Sequence, residues 1–136
     1  MIINKIKLVW EPMGVRTFMV PSCDILIDGE SLSHLASKYS KTRIYGPIEA
    51  PINPDRHFLG VRELQYDEIR GKKSVAECSC GYGCGKVIAC KIIKEDDVII
   101  WRDFASVVDD DFTAFGSFVF DEVQYFDEVQ AFKYYT

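Results

Sequence analysis

At 136 residues the chain has the usual size of one domain, and its 48% apolar and 27% charged residues are the balance of a globular protein, not of a disordered one. No apolar run approaches the ~20 residues that span a bilayer, and the lysine-interrupted start Met1-Ile2-Ile3-Asn4-Lys5-Ile6-Lys7 lacks the unbroken apolar stretch of a signal peptide, so a cytoplasmic location is expected. The net charge of −5 is unevenly held: residues 1–94 carry 14 Lys and Arg against 10 Asp and Glu, whereas residues 95–136 carry 2 against 11.

In chain order, Lys5 to Trp10 alternates as a half-buried strand does. Glu11-Pro12-Met13-Gly14 is a turn, and Val15 to Val20 is expected to return as the second strand of a hairpin. Asp24 to Ile27 is a short strand, and Asp28-Gly29 turns the chain. Ser31 can cap a helix whose apolar positions are Leu32, Leu35, Ala36 and Tyr39. Pro47, Pro51 and Pro54 stand too close together for a helix or a central strand, so residues 40–56 are expected to be a surface loop. Phe58 to Glu68 suits a short helix or an irregular strand.

Val75 to Cys78, Lys86 to Lys94 and Val98 to Trp101 are expected to form an antiparallel meander, with Gly81-Tyr82-Gly83 and Glu95-Asp96-Asp97 as its turns. Phe118 to Phe120 is a short apolar segment. Asp121 then caps a final helix, with Gln124 placed to complete a capping box and with Val123, Phe126, Val129 and Phe132 as its buried face. The fold class predicted is α+β: one domain over residues 1–136, with an antiparallel sheet and about two helices packed on one side.

The densest motif is Cys78-Ser79-Cys80-Gly81-Tyr82-Gly83-Cys84, followed by Cys90. Thiolates bind zinc, yet structural zinc sites use two separated C-x₂₋₄-C pairs, and here Cys78 and Cys80 are one residue apart with no second pair. Four thiols could close a tetrahedral site only if the hairpin brings Cys90 back to Cys78. No cofactor is therefore expected; a metal, if held, would be zinc on Cys78, Cys80, Cys84 and Cys90. The alternative to zinc is that these cysteines act as small buried apolar residues.

No catalytic residue is expected. A nucleophilic cysteine needs a base or a positive environment, and the histidines are His34, on a helix, and His57, after the proline segment. No phosphate loop, His-Glu-x-x-His or Gly-x-Ser-x-Gly is present. Asp109-Asp110-Asp111 does not fit the calcium-loop pattern. The acids that remain available for a partner are Glu95, Asp96 and Asp97 on the turn and Asp109, Asp110 and Asp111 on the following loop. Such a surface repels nucleic acid and suits a basic protein; its structural alternative is an acidic face that keeps a small domain soluble.

The stretch Cys78-x-Cys80-Gly81-x-Gly83-Cys84-Gly85, then Val98-x-x-Trp101-x-Asp103-Phe104, then Phe115-Gly116-x-Phe118-x-Phe120-Asp121-x-x-Gln124-Tyr125, resembles a group of uncharacterised bacterial proteins. The resemblance covers roughly the C-terminal 50 residues and implies no chemistry. It implies packing: Trp101 and Phe104 would hold the meander against the final helix, and Phe118 and Phe120 would return the chain to that core. In size, charge and setting the chain is similar, by analogy only, to immunity proteins that neutralise bacterial toxins. The function expected is accordingly a non-enzymatic binding protein that occludes a basic, nuclease-type toxin domain, with no nucleic-acid or membrane partner. The alternative is a small zinc-stabilised regulatory or housekeeping domain.

Overall fold

The structure, a computed structural model, describes residues 2–11, 21–40, 44–51, 53–60, 71–78, 87–106, 112 and 115–133. Strand β1 (Ile6–Glu11) pairs antiparallel over its whole length with β2 (Ser22–Ile27), Ile6 opposite Ile27 and Glu11 opposite Ser22. The partner of the first strand is thus the 22–27 segment; residues 15–20, expected in that place, lie outside the described residues. Alternation places Ile6 and Leu8 inward on β1 and Cys23, Ile25 and Ile27 inward on β2.

Asp28 and Gly29 both have positive φ, 53° and 85°, as the tight primed hairpin turn requires. They lead into β3 (Glu30–Ser31), which pairs with the end of β2. The Ser31 hydroxyl caps α1 (Leu32–Tyr39) by accepting from the His34 N–H. Leu32, Ser33 and Ala36 are buried, but Tyr39 is 43% exposed. Tyr39 still packs edge-on against Phe115 at 5.0 Å, and Ser37 ties the end of the helix to Tyr45: its hydroxyl donates to the Ser33 carbonyl and accepts from the Tyr45 N–H, both at 2.9 Å.

The proline-rich segment is more ordered than a surface loop. Strands β4 (Tyr45–Gly46) and β5 (Ile48–Glu49) flank Pro47, and α2 (Pro54–Phe58) follows, with Asn53 as its cap and Pro54 at the start. Two-residue strands on either side of Pro47 ask no ladder bond of it, and a proline at the first helical position gives up an N–H that has no partner there anyway. Phe58, expected to open a new element, closes α2; residues 61–68 lie outside the described residues.

The expected meander is present as β6 (Lys73–Cys78), β7 (Val87–Glu95) and β8 (Val98–Ser106), all antiparallel. The sheet is wider than the meander. β4 pairs with β6 at one edge, and β9 (Phe118–Asp121) pairs with β8 at the other, giving the order β4-β6-β7-β8-β9. The second sheet is β1-β2-β3, with β5 also on β2. The sheets are tied at two margins. Pro47 carries the chain from β4 in one to β5 in the other, and Asn4 bridges to Phe120, its N–H donating to the Val119 carbonyl at 2.7 Å.

The final helix, α3 (Glu122–Lys133), starts where expected: Asp121 accepts from the Gln124 N–H at 3.1 Å. The second half of the capping box does not form. The Gln124 amide turns to β1, accepting from the Ile6 N–H (3.1 Å) and donating to the Ile6 carbonyl (2.7 Å). The buried face is Tyr125, Val129 and Phe132, with Phe126 half-buried, whereas Val123 is 66% exposed. Positions 125, 129 and 132 form one helical stripe, and two residues' rotation puts Val123 on the opposite side.

Trp101 packs edge-on against Phe120 (5.3 Å) and Tyr125 (6.2 Å), so it joins the meander to α3 as expected. Phe104 instead meets Phe115 (5.2 Å) and Phe118 (5.7 Å). Burying one such side chain contributes about 1.5–3 kcal/mol. Gly60, at φ 76°, seats the end of α2 on β7; a Cβ there would stand 2.4 Å from the Ile92 carbonyl oxygen. Among the described residues, no helix is long and apolar enough to cross a membrane.

Candidate partner-binding surface

The β7–β8 turn closes with Glu95 opposite Val98, and Asp96 takes a left-handed φ of 54°, a conformation Asp tolerates better than most residues. Glu95, Asp96 and Asp97 are exposed, and their carboxylates make no hydrogen bond or ion pair among the described residues. The backbone of the turn is anchored: the Asp97 carbonyl accepts from the Glu122 N–H at 3.0 Å, which docks the start of α3 on it. β9 pairs with β8 so that Val98 faces Asp121. Glu95, Asp96, Asp97, Asp121 and Glu122 therefore gather at one end of the larger sheet. Asp121 is engaged as the cap of α3, and Glu122 pairs with Lys94 at 3.3 Å.

Pairing of β8 with β9 brings Asp121 and Glu122 to the turn acids, although they are distant in sequence. In the sequence Asp121 is marked only as a helix cap, and nothing local announces a pairing across that distance. Asp109, Asp110 and Asp111 lie outside the described residues.

The hairpin does not bring Cys90 back to Cys78, as the alternative four-thiol set would need. Strand register places Cys90 opposite Lys73, five residues along β6 from Cys78. At ~3.3 Å per residue that is roughly 16 Å, far beyond the ~2.3 Å that each zinc–sulfur bond allows. Cys80, Cys84 and the side chain of Cys78 lie outside the described residues. Cys90 is a buried core residue, and so is Cys23, which stands outside the cysteine motif. Burial pushes both thiols well above their ordinary range; Asp24 adds to the rise at Cys23, and Lys72 partly opposes it at Cys90. Neither is poised as a thiolate nucleophile. Among the described residues, no three His, Cys, Asp or Glu side chains converge to hold a metal.

His34 is exposed on α1, and His57 is buried. The His57 Nε2–H donates to the Ser74 carbonyl at 2.8 Å, and its ring meets Phe58 edge-on. The Ser74 carbonyl lies beside a bulge, where Val75 has no partner between Ser74 opposite Ala89 and Ala76 opposite Ile88. His57 thus joins α2 to an interrupted stretch of ladder. Comparison with family models, with curated proteins and with solved structures gives no match.

Proposed function

We propose that this chain is a non-enzymatic binding protein of the immunity kind, which occludes a basic, nuclease-type toxin domain. The observation that carries the reading is the group Glu95, Asp96 and Asp97: three exposed carboxylates without partners among the described residues, on a turn whose backbone is fixed by α3. Carboxylates held on a rigid turn can meet Lys and Arg without first losing an internal bond or ordering a loop. The acidic end draws a basic surface in and covers the cations that a nuclease uses to hold phosphate. Charge of this kind acts mainly on association rate and on the choice of partner. Asp109, Asp110 and Asp111, which lie outside the described residues, are included in the proposal on charge alone. Co-expression with the product of the adjacent gene tests the reading. A stoichiometric complex that suppresses the activity of that product is expected; a neighbour that neither binds nor is inhibited counts against it.

A further inference from the structure

Beside Glu95, which the proposed function already uses, the outer face of β7, β8 and β9 carries an apolar and a basic row that it does not use. Register alignment produces three rows across the strands. Ile93, Ile100 and Val119 stand opposite one another in the middle. Two residues further along in one direction is the row of Glu95, Val98 and Asp121; two residues in the other is Lys91 opposite Arg102. Trp101, Ile99 and Phe120 point to the other side of these strands, where α3 covers them through Tyr125. The middle row stays half-buried, and the charged residues Glu95, Asp121, Lys91 and Arg102 are exposed. An acidic row, an apolar row and a basic row therefore lie side by side on one sheet face.

We infer that this face binds a second copy of the chain. Rotation by 180° about an axis lying along the apolar row turns the face onto itself and reverses the strand direction. Ile93, Ile100 and Val119 of one copy then meet the same residues of the other. Each Glu95 comes over the other copy's Lys91, and each Asp121 comes within reach of the other copy's Arg102. Complementarity is built into β7 itself, as Lys91-x-Ile93-x-Glu95, and a two-fold contact uses it twice. The competing internal contacts of the basic row are weak. Asp103 stands 3.8 Å from the Lys91 ammonium and 3.7 Å from Arg102 Nε, with all three side chains about half exposed. Exposed pairs of this length are screened and easily exchanged. The occupant is a second copy because the opposite charges needed opposite each row are those the face itself carries.

The face is small. Three strands ~4.8 Å apart and five residues of ~3.3 Å cover a few hundred Å², below the ~800 Å² per partner of a standard interface. Association is therefore weak and concentration-dependent. Sedimentation velocity of the purified chain at low salt, from ~10 μM to ~1 mM, spans the range such a contact occupies. The expected result is a monomer–dimer equilibrium that added salt shifts to monomer. Glu95→Lys weakens it at least tenfold, Ile100→Lys abolishes it, and the swapped pair Lys91→Glu with Glu95→Lys restores it. Circular dichroism confirms that each variant is folded, and Glu95→Lys, at an exposed position, serves if Ile100→Lys is not. A wild-type chain that stays monomeric throughout overturns the inference, as does a dimer indifferent to Glu95→Lys. Self-association is measured on the chain alone, so its failure leaves binding of a basic partner untouched, and the converse holds.

Discussion

Asp103 is a non-glycine residue at φ 57° in the middle of a strand. Lys91 opposes Arg102, and Ala89 opposes Ala105, so Asp103 and Phe104 together face Cys90 across a bulge. In an unbroken strand residues 101 and 104 point to opposite faces; the extra residue turns both Trp101 and Phe104 into the core. Behind them, the Trp101 indole N–H donates to the Tyr125 hydroxyl at 3.1 Å, and that hydroxyl donates to the Phe58 carbonyl. Tyr125→Phe keeps the ring but leaves an N–H and a carbonyl without this partner. A loss of about 2–4 kcal/mol is expected, since each buried group left unsatisfied costs roughly 1–3 kcal/mol. Urea unfolding measures it, and a loss below about 0.5 kcal/mol would show that the chain of bonds contributes little.

Tyr125 and the two buried thiols also bear on the stability of the fold at alkaline pH. Burial raises Cys23, Cys90 and Tyr125 above their ordinary 9.0, 9.0 and 10.0. The unfolded chain releases these protons first, so the native state binds more of them as pH rises, and stability falls with pH. The stabilisation is fully present below the unfolded values and is lost above about pH 9, with a slope of up to ~1.4 kcal/mol per pH unit for each group. Chemical unfolding at pH 7, 9 and 10 is expected to show a level value and then a decline. Replacing Cys23 and Cys90 with Ala should flatten that decline, even where it lowers stability at pH 7. An unchanged slope would mean that other groups set it.

Among the elements, α3 does more than cover a sheet. Gln124 serves the N–H and carbonyl of Ile6, and Glu128, one turn on, accepts from the Leu8 N–H at 3.4 Å. The helix side chains act in the place of a neighbouring strand on backbone groups of β1, which would otherwise be open to another chain. Gln124→Ala is expected to cost about 1–3 kcal/mol and to speed amide exchange at Ile6. Gln124→Glu should be no milder, because a carboxylate cannot donate to the Ile6 carbonyl. Exchange at Ile6 as slow as in the wild type would rule this clamp out.

At this scale the sequence was readable only where signals were local. The β6–β7–β8 meander followed from alternation and turn residues, and the α+β class with it. Ser31 and Asp121 announced their helices because a cap acts within three residues. The choice between Val123 and Tyr125 for the buried face of α3 was not local: both belong to apolar stripes, and the chain-distant Trp101 N–H and Phe58 carbonyl select Tyr125. β4 and β5 were missed because two residues carry no period, and Pro47 looked like a breaker where it is a crossing between sheets.

For the whole molecule, the candidate site was half legible. Glu95, Asp96 and Asp97 stand together in the sequence, but Asp121 and Glu122 reach them only through sheet pairing. The proposal assigns this acidic end to a basic partner, and neutralising the turn acids tests it most directly. Glu95→Gln, Asp96→Asn and Asp97→Asn remove charge while keeping size, and Asn at 96 still tolerates the left-handed backbone. Exposed changes of this kind leave stability within about 0.5 kcal/mol. The decisive measurement is the association rate with the proposed basic partner, sought as the product of the adjacent gene, for wild type and triple variant at low and high salt. The account predicts fast, salt-sensitive association for the wild type, and slower association with a shallower salt dependence for the variant. Equal rates and equal salt dependence for the two proteins would contradict it and return the acidic end to a solvated surface.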